Sequence, residues 1–110
     1  MDDLVTKIQN LIPETHQHIK NLQNWGIKKA QAESDYQTVL SQKVLQERDK
    51  GTAIGVITLT VKGDAEVAKK RLERDVADVM YQVCQEKINI SKLEMRILDA
   101  QIQREWGTRE

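Results

Sequence analysis

Phenylalanine is absent from the sequence and aromatic residues make up only 4% of it, so the bulky side chains that usually fill a compact core are missing. A chain of 110 residues forms one domain that buries about two-thirds of its unfolded surface. With 39% hydrophobic against 31% charged residues, helices packed in one or two layers suit it better than a globule. Cysteine occurs once, at Cys84, which excludes an internal disulfide and is ordinary in a reducing cytoplasm. Neither sign of charge dominates, with 17 basic and 17 acidic residues, so no long-range field draws the chain to a polyanion or a membrane surface. Long apolar runs are also missing. The start, Met1-Asp2-Asp3-Leu4, is acidic, and neither a signal peptide nor a membrane span is expected. The expected place of action is the cytoplasm.

What is present is helical periodicity. Leu4, Ile8 and Leu11 recur at helical spacing behind Asp2 and Asp3, which predicts a short helix over residues 2–12. Pro13, the single proline, is expected to open the next helix, because proline is tolerated at a first helical position and disruptive inside. That helix is expected over 13–50, with Ile19, Leu22, Ala30, Tyr36, Leu40 and Val44 inward, weakened near Gly26 and stopped at Gly51. Between Gly51 and Gly63 the residues turn β-branched. Ile57, Leu59 and Val61 alternate with Thr58 and Thr60, the period of a strand with one buried side. One strand has no partner, so an extended connector over 51–63 is favoured above pairing across an oligomer or a helix formed against propensity.

Asp64 suits an N-cap, and the last helix then runs over 64–106 without proline or glycine up to Trp106. Leu72, Val76, Val79, Val83, Ile90, Leu93 and Ile97 fall on steps of three and four, a heptad row interrupted only by Glu86. It is expected to be the hairpin seam. A second row, Ala77, Met80, Cys84, Ile88, Met95, Leu98 and Ile102 with Trp106 near its end, lies roughly 130° around the helix. A lone hairpin hides one row, so the second is expected to meet the short N-terminal helix, a second copy of the chain or another protein.

Chemistry-bearing groups are sparse. Glu14, His16 and His18 would share a face on a strand, but on a helix His16 and His18, two apart, diverge, so the pair cannot chelate one ion. Cys84 sits in the second apolar row and reads as a small apolar residue. The run Lys69, Lys70 and Arg71, with Arg74 a turn later, is a candidate anion contact. Glu66, Glu73 and Asp75 lie among these cations, however, and alternating signs usually mark a solvated face. No nucleophile, general base or metal set stands out, and no cofactor is expected.

The second half, with Lys62-Gly63-Asp64, Arg74-Asp75-Val76-Ala77, Tyr81, Ile88-Asn89, Lys92-Leu93, Arg96 and Gln101-Ile102 through Glu105-Trp106, resembles small helical-hairpin proteins of tailed phages and prophages of Gram-positive bacteria. The resemblance covers residues 62 to 107 and implies a host-cell cytoplasmic, non-enzymatic protein encoded among early genes. The expectation is an all-α chain in a single domain, a long antiparallel hairpin with a short N-terminal helix and an extended connector. It would form a homo-oligomer, dimer or higher, and bind a host or phage protein, inhibition of a host defence system being one such action. A nucleic-acid or nucleotide-binding accessory is the alternative.

Overall fold

The computed structural model describes residues 2–109, and among these three helices account for the regular structure: α1 (Asp2–Asp49), α2 (Ile54–Lys62) and α3 (Ala65–Arg109). Residues 1 and 110 of the expected single domain lie outside the described ones. The all-α hairpin expected from periodicity is present, with α1 packed on α3. Contacts group the chain into two compact units, one of α1 up to Asn24 with α3 from Gln82 onward, the other Trp25–Tyr81.

In the Trp25–Tyr81 unit the pairing is antiparallel, because partners fall along α3 as they rise along α1: Lys29 with Asp78 at 3.0 Å, Glu33 with Arg74 at 3.7 Å, Lys43 with Glu66 at 3.2 Å. Val39, Ile57, Val61 and Val67 form the buried cluster, and Tyr36, Leu40 and Val44 pack against it. Local chemistry sets its ends. Gly51 has φ of 81°, which a residue with a Cβ adopts at a cost, and closes α1 by a double turn: its N–H donates to the Arg48 carbonyl at 3.0 Å, and that of Thr52 to the Glu47 carbonyl at 3.1 Å. Asp64 caps α3, its Oδ1 accepting from the N–H groups of Glu66 at 2.9 Å and Val67 at 3.1 Å.

Three expectations are corrected. The first concerns the connector over 51–63, which is not extended but carries α2. The strand pattern and the helix share two residues, since Ile57 and Val61 stand four apart and both face the Val39 and Val67 cluster, while the intervening Leu59 is 72% exposed. Two buried contacts on one face outweigh β propensity, which is weak beside tertiary packing. Thr60 adapts by donating its hydroxyl to the Val56 carbonyl at 3.0 Å.

The second correction is at Pro13. The helices expected over 2–12 and 13–50 are one, because Pro13 lies inside α1 and on its exposed side. Its missing N–H and its ring cost roughly 3 kcal/mol in a helix interior. Packing on both sides offsets that cost: Leu11 and Thr15 are buried, and Thr15 donates its hydroxyl to the Leu11 carbonyl at 2.7 Å. Ile19 and Ala30, expected inward on this helix, face solvent.

The third correction exchanges the two apolar rows of α3. In the unit from Gln82 onward, Cys84 and Ile88 are buried, Met95, Leu98 and Ile102 are half-buried, and Val83, Ile90, Leu93 and Ile97 are exposed. In the other unit Ala77 is buried and Met80 half-buried, while Leu72, Val76 and Val79 are exposed. The row expected to await a partner closes the hairpin, and the heptad row expected to close the hairpin faces out. A Cβ added at Gly26 of α1 would stand 3.3 Å from Cε2 of Tyr81, and Ala77, Cys84 and Ser91 are the small residues buried along α3. The same face also carries the larger Met80, Tyr81, Ile88, Met95 and Leu98, so small and large side chains alternate along the contact with α1.

Candidate interaction surface on α3

The helix that supplies Cys84 and Ile88 to the interior carries Val83, Ile90 and Ile97 seven residues apart, roughly 120° around its cylinder. Ile88 is 7% exposed and Ile90, two residues on, 53%. Single exposed hydrophobes are ordinary, but a periodic row along one helix is a patch. At about half exposure each of these side chains leaves unrealised about half of the 1.5–3 kcal/mol that full burial contributes.

Beside this row in the same unit is a cavity of about 360 Å³ between α1 and α3. Leu11, Ile97 and Leu98 give it apolar walls, and Lys7, Glu14 and Glu94 put both signs of charge around them. Glu14 is 3.7 Å from Nε2 of His18, four residues on, which places the His18 and Glu14 pair on one side of α1. His16 lies exposed, apart from them.

The candidate anion contact is spent on neighbours. Lys70 stands 3.4 Å from Glu73, and Arg71 donates to the Lys62 carbonyl at 3.3 Å. Arg74 lies 3.1 Å from Asp75 and 4.4 Å above the Tyr36 ring, and its guanidinium is held above its ordinary range, first by the hydrogen bond to Asp75. Lys69 is exposed. The cavity of about 420 Å³ at this place is lined by Lys29, Glu33, Arg74, Asp75 and Asp78, acidic residues outnumbering basic ones. A phosphate backbone would have to displace these carboxylates.

Further along, the Lys43 ammonium is raised above its ordinary range, first by its hydrogen bond to Glu66 and then by the charge of Asp64. Asp64 is held below the usual carboxylate range, first by the Val67 N–H, and Glu47 likewise, first by the Thr52 hydroxyl, which donates to it at 2.7 Å. These shifts belong to a cap and a turn, so they mark structure and not a reacting centre. Among the described residues no group of three or more His, Cys, Asp or Glu gathers as for a metal ion, and no helix is long and apolar enough to cross a membrane.

Further exposed apolar side chains lie on α1 and α2, among them Ile19 and Leu59, expected inward from the sequence. Val5, Ile12 and Ile19 stand at heptad spacing on the outer side of α1, and Ile54 and Leu59 project from α2, Ile54 with 88% of its surface in solvent. The α1 row was legible as a seven-residue period once Pro13 is placed inside the helix; the α2 pair was masked by the strand-like alternation. Trp106, expected on the partner row, is exposed. No family model, curated protein or solved structure matches the chain.

Proposed function

We propose that the chain is a non-enzymatic interaction protein that acts through the outward heptad row of α3, contacting its own copies and a host or phage protein. One observation carries this: the hairpin closes on Cys84, Ile88 and Ser91, and still leaves Val83, Ile90, Leu93 and Ile97 in solvent. A row spaced for knobs-into-holes packing suits a helical partner better than a flat one. The phage-protein resemblance of residues 62 to 107 supports a host or phage protein as the foreign partner, with inhibition of a host defence component as the expected consequence. The anion-binding alternative is weaker, because Lys70, Arg71 and Arg74 are each engaged by carboxylates or a carbonyl.

The test is affinity capture from host lysate with the tagged chain and with its Ile90→Glu and Leu93→Glu variants, each first shown to be helical by circular dichroism. Loss of the captured proteins in both variants is the expected result, since a charge in an apolar contact is costly to bury. Undiminished capture by both would refute the proposed role of this face.

A further inference from the structure

We propose that the occupant of the α3 row in the unit from Gln82 onward is a second copy of this chain, lying antiparallel so that Ile90 of each copy meets Leu93 of the other. The proposal rests on the interaction role given to this row above and adds the direction in which two copies pair and the residues that meet.

Three observations point to it. Within the heptad, Val83, Ile90 and Ile97 occupy one class of position, and Glu86, Leu93 and Ala100 the other. A parallel pair in register would set Glu86 against Glu86 in the middle of the contact, where like charges repel most strongly. An antiparallel pair joins the two classes instead: Ile90 with Leu93, Val83 with Ala100, and Ile97 with Glu86, so the carboxylates stand apart.

The flanks agree. Lys87 and Glu94 lie one heptad apart on the same side of the row, and antiparallel packing brings Lys87 of each copy opposite Glu94 of the other, giving the pair twice by symmetry. Parallel packing would match Gln82 with Lys87, Asn89 with Glu94 and Arg96 with Gln101, none of them oppositely charged. Among the described residues, Lys7, Glu86, Lys87 and Glu94 form no ion pair within their own chain.

The cavity supplies the third. In the antiparallel contact Glu86 of the second copy arrives over Ile97, which lines the cavity of about 360 Å³ together with Leu11, Leu98, Lys7, Glu94 and Glu14, the last being 3.7 Å from Nε2 of His18. Leu11 and Leu98 offer an apolar seat for its methylenes, and the Lys7 ammonium a counter-charge for its carboxylate. Glu94 on the same cavity receives Lys87. Glu86, the one break in the heptad row, thereby gains a cation, and the cavity is completed by the other copy. The contact from Val83 to Ala100 is about 27 Å long at about 1.5 Å per residue.

Charge reversal and site-specific cross-linking test this in the full chain, with sedimentation velocity as the readout of association. Lys87→Glu, on an exposed position, should weaken self-association at least about tenfold, Glu94→Lys likewise, and the double reversal in one chain should restore it to near the unmodified level. In a Cys84→Ala background, Val83→Cys alone and Ala100→Cys alone should give no disulfide-linked dimer under mild oxidation, and their mixture should give one. Dimers from Val83→Cys alone, or a double reversal that fails to rescue, would overturn the antiparallel pairing. A monomer at every concentration whose foreign capture is still lost on Ile90→Glu would overturn the second copy as occupant and leave the interaction role standing; a monomer whose capture is also unaffected would remove both.

Discussion

Two isoleucines two residues apart on α3 offer a direct comparison, because the same substitution at each removes the same atoms from opposite environments. Ile88 is 7% exposed, so Ile88→Ala leaves a void in the hairpin interior and is expected to cost about 2–4 kcal/mol. Ile90 is 53% exposed, so about half of its burial contribution is at stake, roughly 1 kcal/mol, and the better helix propensity of alanine returns a few tenths. The two variants should differ by about 2 kcal/mol, a large fraction of a total stability on the order of 5–15 kcal/mol. With a urea dependence of about 1.5 kcal/mol/M, the unfolding midpoints followed by circular dichroism would stand more than about 1 M apart. Repeating the titration over a range of protein concentrations adds a second criterion. The Ile88→Ala deficit should stay constant, whereas the Ile90→Ala deficit should grow with concentration as association recruits the outer row. Equal midpoints at the lowest concentration, or a larger deficit at Ile90, would place the heptad row inside the hairpin and refute the exchange of rows.

Pro13→Ala should raise stability by about 1–3 kcal/mol in the same urea assay, since it restores an N–H donor within α1 without disturbing a buried side chain; a fall would mean that the proline is needed for the path of the helix. Gly51→Ala should lower stability by about 1 kcal/mol, because φ of 81° is strained for a residue with a Cβ, and an unchanged midpoint would contradict the double-turn closure. Asp64 and Glu47 are held below the usual carboxylate range when folded, so their contribution is complete above their unfolded values and is lost as pH falls through the depressed folded ones. Acid unfolding curves should therefore be shallower for Asp64→Asn, which keeps a capping oxygen but cannot titrate. Lys43 has the opposite sign: its contribution is complete below its unfolded value and is lost as pH rises through the raised folded one, so Lys43→Met should flatten the alkaline limb. Retention on heparin should be weak and should vanish at modest salt, and firm retention abolished by Lys69→Glu would reinstate the anion contact.

The features legible in the sequence are those fixed by a few neighbouring residues. Gly51 announces the end of α1 and Asp64 the start of α3, because a left-handed turn and a helix cap are chemistry of one side chain and its own backbone. The helical character of the two long segments was equally plain, since a 3.6-residue period repeated over many turns averages out individual exceptions. The connector failed for want of length. Ile57 and Val61 satisfy both a strand pattern and a helix face, and only the presence of Val39 and Val67 opposite them selects the helix. Pro13 failed for a related reason: its local penalty is visible in the sequence, but the compensation, with Leu11 and Thr15 buried on the other side of α1, is tertiary.

The exchange of rows on α3 has a different origin. Both rows have helical spacing, and by hydrophobicity the β-branched one, with Val83, Ile90, Leu93 and Ile97, outranks a row containing Ala77 and Cys84 and flanked by Ser91. Hydrophobicity asks which row loses most by staying in water, whereas packing asks which row fits the helix that is covalently obliged to be its neighbour. That neighbour presents Gly26 against the Tyr81 ring in one unit, a gap that receives a large side chain, and buries Leu11 and Thr15 in the other, so its own contour selects the row. The outward row has the spacing of knobs-into-holes packing, in which each side chain enters a gap between four others. A sequence read one helix at a time cannot separate these two demands, because the deciding residues lie on the other helix. Once α1 is in place, the row that sequence reasoning assigned to the fold is the row left exposed, and under the antiparallel pairing proposed above Glu86, Lys87 and Glu94 would set its direction.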